Sequence, residues 1–243
     1  MKRLSIFIVG IMMAVVAMSR TFDMKQLGAD AKGIKSCTEL INRTIEKAAS
    51  EGGGTIYFPA GTYLTATIHM KSNITLYLES GAVLRFSDKF EDYLPFVTLR
   101  WEGTVMKSLS PLIYAHSADN VTISGRGTLD GNGLKWWLWE FDTRKVIKEN
   151  GGKLPALDKL QQMWVDANKN LEISDYYKPS LERRMFRPPF IQFYECTNIL
   201  IENVKIINSP FWTINPAFCD NVTIHGVTIL SLIHISEPTR QAE

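Results

Sequence analysis

A short segment of this chain returns at a fixed interval, and that repeat limits the fold more than any other feature. Cys196-Thr197-Asn198-Ile199-Leu200-Ile201-Glu202-Asn203-Val204-Lys205-Ile206 is matched 23 residues later by Cys219-Asp220-Asn221-Val222-Thr223-Ile224-His225-Gly226-Val227-Thr228-Ile229. Asn73-Ile74-Thr75-Leu76 and Asn120-Val121-Thr122-Ile123 share the same opening 47 residues apart, which reads as about two such periods. A period in the twenties, built from short β-branched runs, marks a solenoid. One unit cannot bury its own apolar face, but stacked units can. The expected class is therefore all-β, a right-handed parallel β-helix. Asn73, Asn120, Asn198 and Asn221 should lie along one edge, with Ile199, Ile201, Val222 and Ile224 pointing inward. Gly125, Asn203 and Gly226 each fall five residues after their unit's Asn. They suit the tight turn that ends a short strand, where φ is positive.

Before the repeats, Met1-Lys2-Arg3 is a basic start and residues 4–18 are an apolar run, with Ala17 and Ser19 as small residues at a cleavage position. This pattern reads as a signal peptide over 1–19. A membrane anchor is the alternative, but the run is short for a span. The chain is thus expected to be secreted or periplasmic, with no membrane contact after cleavage. Without Lys2 and Arg3 the 27 basic residues become 25, equal to the 25 acidic ones. That balance gives no electrostatic footprint for nucleic acid, and any attraction for an acidic substrate has to be local. The cysteines are Cys37, Cys196 and Cys219, an odd number that argues against a disulfide framework. Cys196 and Cys219 hold equivalent places in adjacent units. Parallel strands about 4.8 Å apart are wide for a relaxed bridge, so both are read as buried, reduced core positions, with a bridge as the alternative. No metal-ligand spacing occurs, and no cofactor is expected.

Residues 20–229 read as one solenoid body with additions. Ser36 to Ser50 carries Leu40, Ile41, Ile45, Ala48 and Ala49 at helical spacing, with Ser36 or Thr38 as the cap and Gly52-Gly53-Gly54 as the stop. Such a helix would cover the open strand edges at the solenoid's N-terminal end. Residues 134–187 break the period. They form an expected loop excursion, partly helical, with Leu160, Met163 and Trp164 at helical spacing. Residues 230–243 have no repeat pattern and read as a foreign tail after the last unit.

Several longer segments carry a resemblance. They are Glu51-Gly52-Gly53-Gly54-Thr55-Ile56-Tyr57-Phe58-Pro59-Ala60-Gly61-Thr62-Tyr63, Arg100-Trp101-Glu102-Gly103, Ser110-Pro111-Leu112-Ile113-Tyr114-Ala115, Gly125-Arg126-Gly127-Thr128-Leu129-Asp130-Gly131 and Asn208-Ser209-Pro210-Phe211-Trp212-Thr213-Ile214. In that order, from about Phe22 to Ile229, they resemble glycoside hydrolase family 28, the polygalacturonases. The resemblance implies a monomeric enzyme that hydrolyses galacturonosyl bonds with inversion, acting on pectic polysaccharide or oligogalacturonide. Inversion requires one carboxyl group as acid and another as base for water. The family supplies these from an Asn-Thr-Asp or Asn-Asp segment and an Asp-Asp pair, with Gly-His-Gly and Arg-Ile-Lys segments completing the site. This chain has no Asp-Asp, Gly-His-Gly or Arg-Ile-Lys. No catalytic residue is assigned, and the chain is read as a fragment without activity of its own. Trp212 and Asn215 precede the missing segments and are expected to contact substrate, although family members often carry His where Asn215 stands. Arg100 is the expected cation at the cleft, with Glu102 beside it; a local ion pair between the two is the alternative. A calcium-dependent pectate lyase and a non-catalytic polysaccharide-binding β-helix are the alternatives.

Other candidates read as structural. Asp130 sits in an Asp-Gly turn. His69 and His225 lie within units, where a hydrogen-bonded histidine is the ordinary case, and His234 falls in the tail. Trp136, Trp137 and Trp139 suit either a sugar cleft or a satellite apolar cluster. Asn42, Asn73, Asn120 and Asn221 match the glycosylation pattern. Three of these open a unit, where an inward asparagine stack is the expected use.

Overall fold

Each turn of the solenoid is built from β-branched and aliphatic residues that alternate with polar ones, so one side of every short strand faces the core. The computed structural model describes residues 20–101, 103–152, 156–171 and 187–230. The chain opens with β1 (Arg20–Asp23) and β2 (Lys32–Ser36), then α1 (Thr38–Ser50). The first full turn is β3 (Gly54–Phe58), β4 (Gly61–Thr65) and β5 (Ile68–His69). In the second, β6 (Ile74–Leu78) and β7 (Ala82–Phe86) are followed by a hairpin of β8 (Val97–Trp101) and β9 (Thr104–Ser108), then β10 (Ile113–His116). In the third, β11 (Asp119–Gly125) and β12 (Thr128–Asp130) are followed by α2 (Leu134–Glu149) and α3 (Lys159–Ala167), then β13 (Ile191–Tyr194). β14 (Thr197–Glu202) and β15 (Lys205–Ile207) begin the fourth, and β16 (Asp220–His225) and β17 (Thr228–Leu230) the fifth.

Stacking these turns gives three parallel sheets. The first sheet runs β1-β3-β6-β11-β14-β16, the second β2-β4-β7-β12-β15-β17, and the third β5-β10-β13. Parallel bridges from Ile191 to Ile214 and from Tyr194 to Ala217 extend the third sheet by one turn. The register makes apolar columns. Ile56, Leu76, Ile123, Ile201 and Ile224 pair in succession in the first sheet. Tyr63, Leu84, Leu129, Ile206 and Ile229 do so in the second. Ile68, Ile113, Ile191 and Ile214 fill the third. Burial holds along most of each column and falls at its last member. Ile201 is 1% exposed and Ile224 44%, while Ile206 is fully buried and Ile229 46% exposed. The chain is thus the expected right-handed parallel β-helix.

Three expectations need correction. Asn73 and Asn120 are not two turns apart, because β6 pairs directly with β11. The surplus residues form the β8–β9 hairpin, inserted at one corner of the turn. The four asparagines do stack, but they face solvent rather than the core. Asn120 Nδ2 donates to Asn73 Oδ1 (2.9 Å), Asn198 to Asn120 (3.3 Å) and Asn221 to Asn198 (2.7 Å). All four are left-handed, with φ of 54–61°, a conformation that a short polar side chain tolerates better than most. Finally, α1 starts at Thr38 with Cys37 at its N-cap and no side-chain cap bond. Thr38 Oγ1 instead accepts from the Ala66 N–H at 2.6 Å, which ties the helix to the solenoid. Its buried residues Ile41, Thr44, Ile45 and Ala48 face the core, so it covers the N-terminal end.

Cys37, Cys196 and Cys219 are free thiols. Burial raises the Cys196 thiol above its ordinary value, which keeps it protonated and inert. Residues 1–19 and 231–243, with His234, lie outside the described residues; Leu230, expected to open the tail, instead closes β17 opposite Ile207. Among the described residues no helix is long and apolar enough to cross a membrane.

Candidate functional site

Both large insertions leave the solenoid at the corner between the second and third sheets, so they stand beside the outer face of the third sheet. That face is set by alternation. With Ile68, Ile113, Ile191 and Ile214 turned inward, their neighbours His69, Tyr114, Gln192 and Asn215 form the outer column. The hairpin is sewn onto this column. The Tyr114 hydroxyl donates to the Thr98 carbonyl at 2.5 Å. The fully buried Gln192 amide donates to the Arg100 carbonyl (2.8 Å) and accepts from the Arg100 N–H (3.2 Å). Helix α3 braces the hairpin from behind. Asn168, just past its end, accepts from the Lys107 N–H and donates to the Lys107 carbonyl.

Asn215 is the next member of the column, and its position differs from that of Gln192. Its Nδ2 is buried and, among the described residues, has no hydrogen-bond partner. A buried amide donor without a partner costs free energy. Trp212 lies at one end of the same segment, 40% exposed. It stacks on Phe211 (4.6 Å between centroids), which stacks on Trp101 (5.6 Å). At the other end is Phe218, 60% exposed. The Arg100 guanidinium lies 5.6 Å from its ring centroid. The three expected contact residues thus belong to one face. Arg100 is held over the column through Gln192, Asn215 lies one turn further on, and Trp212 stands at its edge. Glu102 lies outside the described residues.

Sequence reasoning missed Gln192, Phe218, and the His116–Glu195 pair (3.4 Å) beside them. A signal was present for Phe218. It stands immediately before Cys219, as Glu195 stands before Cys196, so an aromatic replaces an acid at an equivalent corner.

The remaining candidates are structural. Asp130 accepts from Arg85 Nε (3.2 Å), Asn208 Nδ2 (2.8 Å) and the Asn132 N–H (3.1 Å). His225 contacts Glu202 at 3.1 Å, and Ser124 donates to the same carboxylate. With the acid in the middle, this trio cannot activate the serine, since a base would have to sit between the two. Trp136 is fully buried against Phe90 and Tyr93. Trp139 also packs on Phe90, and Trp137 donates to the Ser209 carbonyl while stacking with Arg187. The tryptophans of α2 therefore anchor the insertion. Asn42 is occupied as well, spanning the Thr67 carbonyl and the His69 N–H.

The three strands of the third sheet carry no carboxylate. Among the described residues no group of three or more His, Cys, Asp or Glu side chains is arranged to hold a metal ion. Among the described residues the face offers aromatic surface, the Arg100 guanidinium and amide groups, which suits the C–H faces, carboxylates and hydroxyls of acidic sugars.

The sequence profile of the family described as "Rhamnogalacturonase A/epimerase, pectate lyase-like" matches residues 21–229. Among curated proteins, a "Probable polygalacturonase" from Vitis vinifera is 28% identical over 192 residues, covering 77% of this chain and 31% of its own. An exo-poly-alpha-D-galacturonosidase from Dickeya chrysanthemi is 30% identical over 126 residues, covering 49% of this chain and 21% of its own. The chain thus spans a third or less of the length of these relatives. Among solved structures, a hyperthermoactive exopolygalacturonase from Thermotoga maritima superposes with a TM-score of 0.68 at 37% identity, over 87% of this chain and 47% of that one.

Proposed function

Because the chain belongs to the rhamnogalacturonase A/epimerase, pectate lyase-like family, we propose that it acts on pectic polysaccharide as part of a polygalacturonase-type glycoside hydrolase. The outer face of the third sheet is the substrate face, with Arg100, Asn215 and Trp212 as contacts. The observation that carries this reading is the Asn215 amide, buried and without a partner among the described residues, on a column roofed by Arg100 and edged by the exposed Trp212 stacked on Phe211. The strands of the third sheet carry no carboxylate, so they supply contact surface and not the carboxyl pair that inverting hydrolysis needs. The protein works outside the cytoplasm, secreted or periplasmic, where pectic chains occur.

Affinity electrophoresis tests the reading. Migration of the chain should be retarded by polygalacturonate in the gel and unaffected by neutral galactan. Equal migration in both gels sinks the proposal. The same preparation should release no reducing ends from polygalacturonate above buffer. Unsaturated products that absorb in the ultraviolet and disappear on chelation would favour a lyase instead.

A further inference from the structure

We propose that Phe218 and Arg100 form a uronosyl subsite at the corner where the third sheet turns into the first, with the phenyl ring as platform and the guanidinium as reader of the carboxylate. The inference rests on the pectic reading above and makes it specific.

The backbone gives the first argument. Each turn bends at this corner through a left-handed residue, Ser117 (φ 50°), Glu195 (φ 53°) and Phe218 (φ 56°) in successive turns. Positive φ is disfavoured for any residue with a Cβ and is most unusual for a bulky one. Glycine or asparagine would satisfy the bend without that strain, as asparagine does at the neighbouring corner. Strain that persists on the surface points toward use. Burial does not account for Phe218, because it remains 60% exposed although Tyr194 meets it edge-on at 5.5 Å.

The second argument is the company the ring keeps. The Arg100 backbone is fixed at both its N–H and its carbonyl by the buried Gln192. A guanidinium on an anchored strand is therefore held over the exposed Phe218 ring, 5.6 Å from its centroid. Among the described residues this guanidinium makes no ion pair with a carboxylate. A uronic acid matches both features, since its C–H face stacks on an aromatic ring while its carboxylate takes two parallel N–H bonds from arginine. A neutral hexose matches only the ring.

Isothermal titration of the chain with trigalacturonate, and with galactotriose as the neutral control, tests the subsite. Phe218→Ala should weaken trigalacturonate binding on the order of tenfold, the range of one lost ring contact, and Phe218→Tyr should restore it. Phe218→Asn should weaken binding equally while leaving the melting temperature unchanged or higher, because asparagine accepts the left-handed bend. A purely structural phenylalanine would instead lose stability in that variant. Arg100→Gln should abolish the preference for trigalacturonate over galactotriose. Unchanged affinity in both Phe218→Ala and Phe218→Asn, with the parent binding normally, overturns the subsite and leaves the pectic reading standing. A parent chain that binds neither trigalacturonate nor polygalacturonate removes both.

Discussion

Asn198 shows how much one side chain settles in this fold. It holds φ at 55°, donates to Asp119 and Asn120, and accepts from Asn221. Replacing it by alanine removes these bonds and leaves a Cβ in a left-handed position. Asn198→Ala should therefore cost about 3 kcal/mol, while Asn198→Gly, which keeps the backbone comfortable, should cost about 1–2 kcal/mol. Urea midpoints would measure both. Equal losses would mean that the backbone angle adds nothing to the ladder, and no loss in Asn198→Gly would mean that the ladder carries nothing beyond its angle. His69, at the start of the outer column, makes a pH prediction. Burial, with Lys71 second, lowers its pKa below the ordinary value of 6.5, and Glu46 acts in the opposite sense. Its ring also meets Tyr114 edge-on. The unfolded chain therefore binds the proton more readily than the folded one. The His69 contribution is fully present above 6.5, is lost as pH falls below that value, and levels off below the folded pKa. His69→Gln should flatten the stability profile between about pH 7 and pH 5. A profile as steep as the parent's would assign the acid sensitivity to other groups.

The insertions are held by polar and aromatic contacts rather than by strand pairing. Glu140 of α2 is nearly buried, at 7% side-chain exposure, and meets two guanidinium groups, those of Arg144 and Arg187. Arg187 in turn donates to the Pro210 carbonyl and lies between the rings of Trp137 and Phe211. This cluster fixes α2 beside the segment that carries Trp212. Glu140→Ala should cost about 3 kcal/mol by breaking a buried ion pair. The loss should appear first as faster hydrogen exchange in 134–149, with the solenoid strands unchanged. A uniform rise across all strands would show that the insertion and the solenoid unfold as one unit. At this scale the sequence was partly legible. The helical spacing of Leu160, Met163 and Trp164 anticipated α3, whose capping box at Asp158 and Gln161 starts it one residue later. The hairpin was not legible as an insertion, because strands stack in register whatever the length of chain between them. A gap of 47 residues therefore looked like two turns when it was one turn plus a hairpin.

For the whole molecule, solenoid stability is approximately a sum over turns and their interfaces. The first-sheet strand β6 has its inward residues fully buried, whereas β16 shows Ile224 at 44% exposure. Amides of 221–225 should accordingly exchange much faster than those of 74–78, and equal protection would show that the final turn is covered in solution. The architecture was readable from the repeat because stacking forces like residues into columns. The direction of the asparagine stack was not, since an edge position does not reveal which way a left-handed residue turns its side chain. Of the proposed substrate face, only Trp212, Asn215 and Arg100 were singled out from the sequence. What joins them is the Gln192 clasp and the bend at Phe218, which depend on contacts between turns that no single segment displays. The claim that matters most is that pectic chains meet the outer face of the third sheet. Hydrogen exchange read by mass spectrometry, with and without polygalacturonate, tests it directly. Protection should be confined to 97–101, 113–116, 191–194 and 212–218. Protection along the asparagine ladder instead, or no protection anywhere at saturating polymer, would contradict the account.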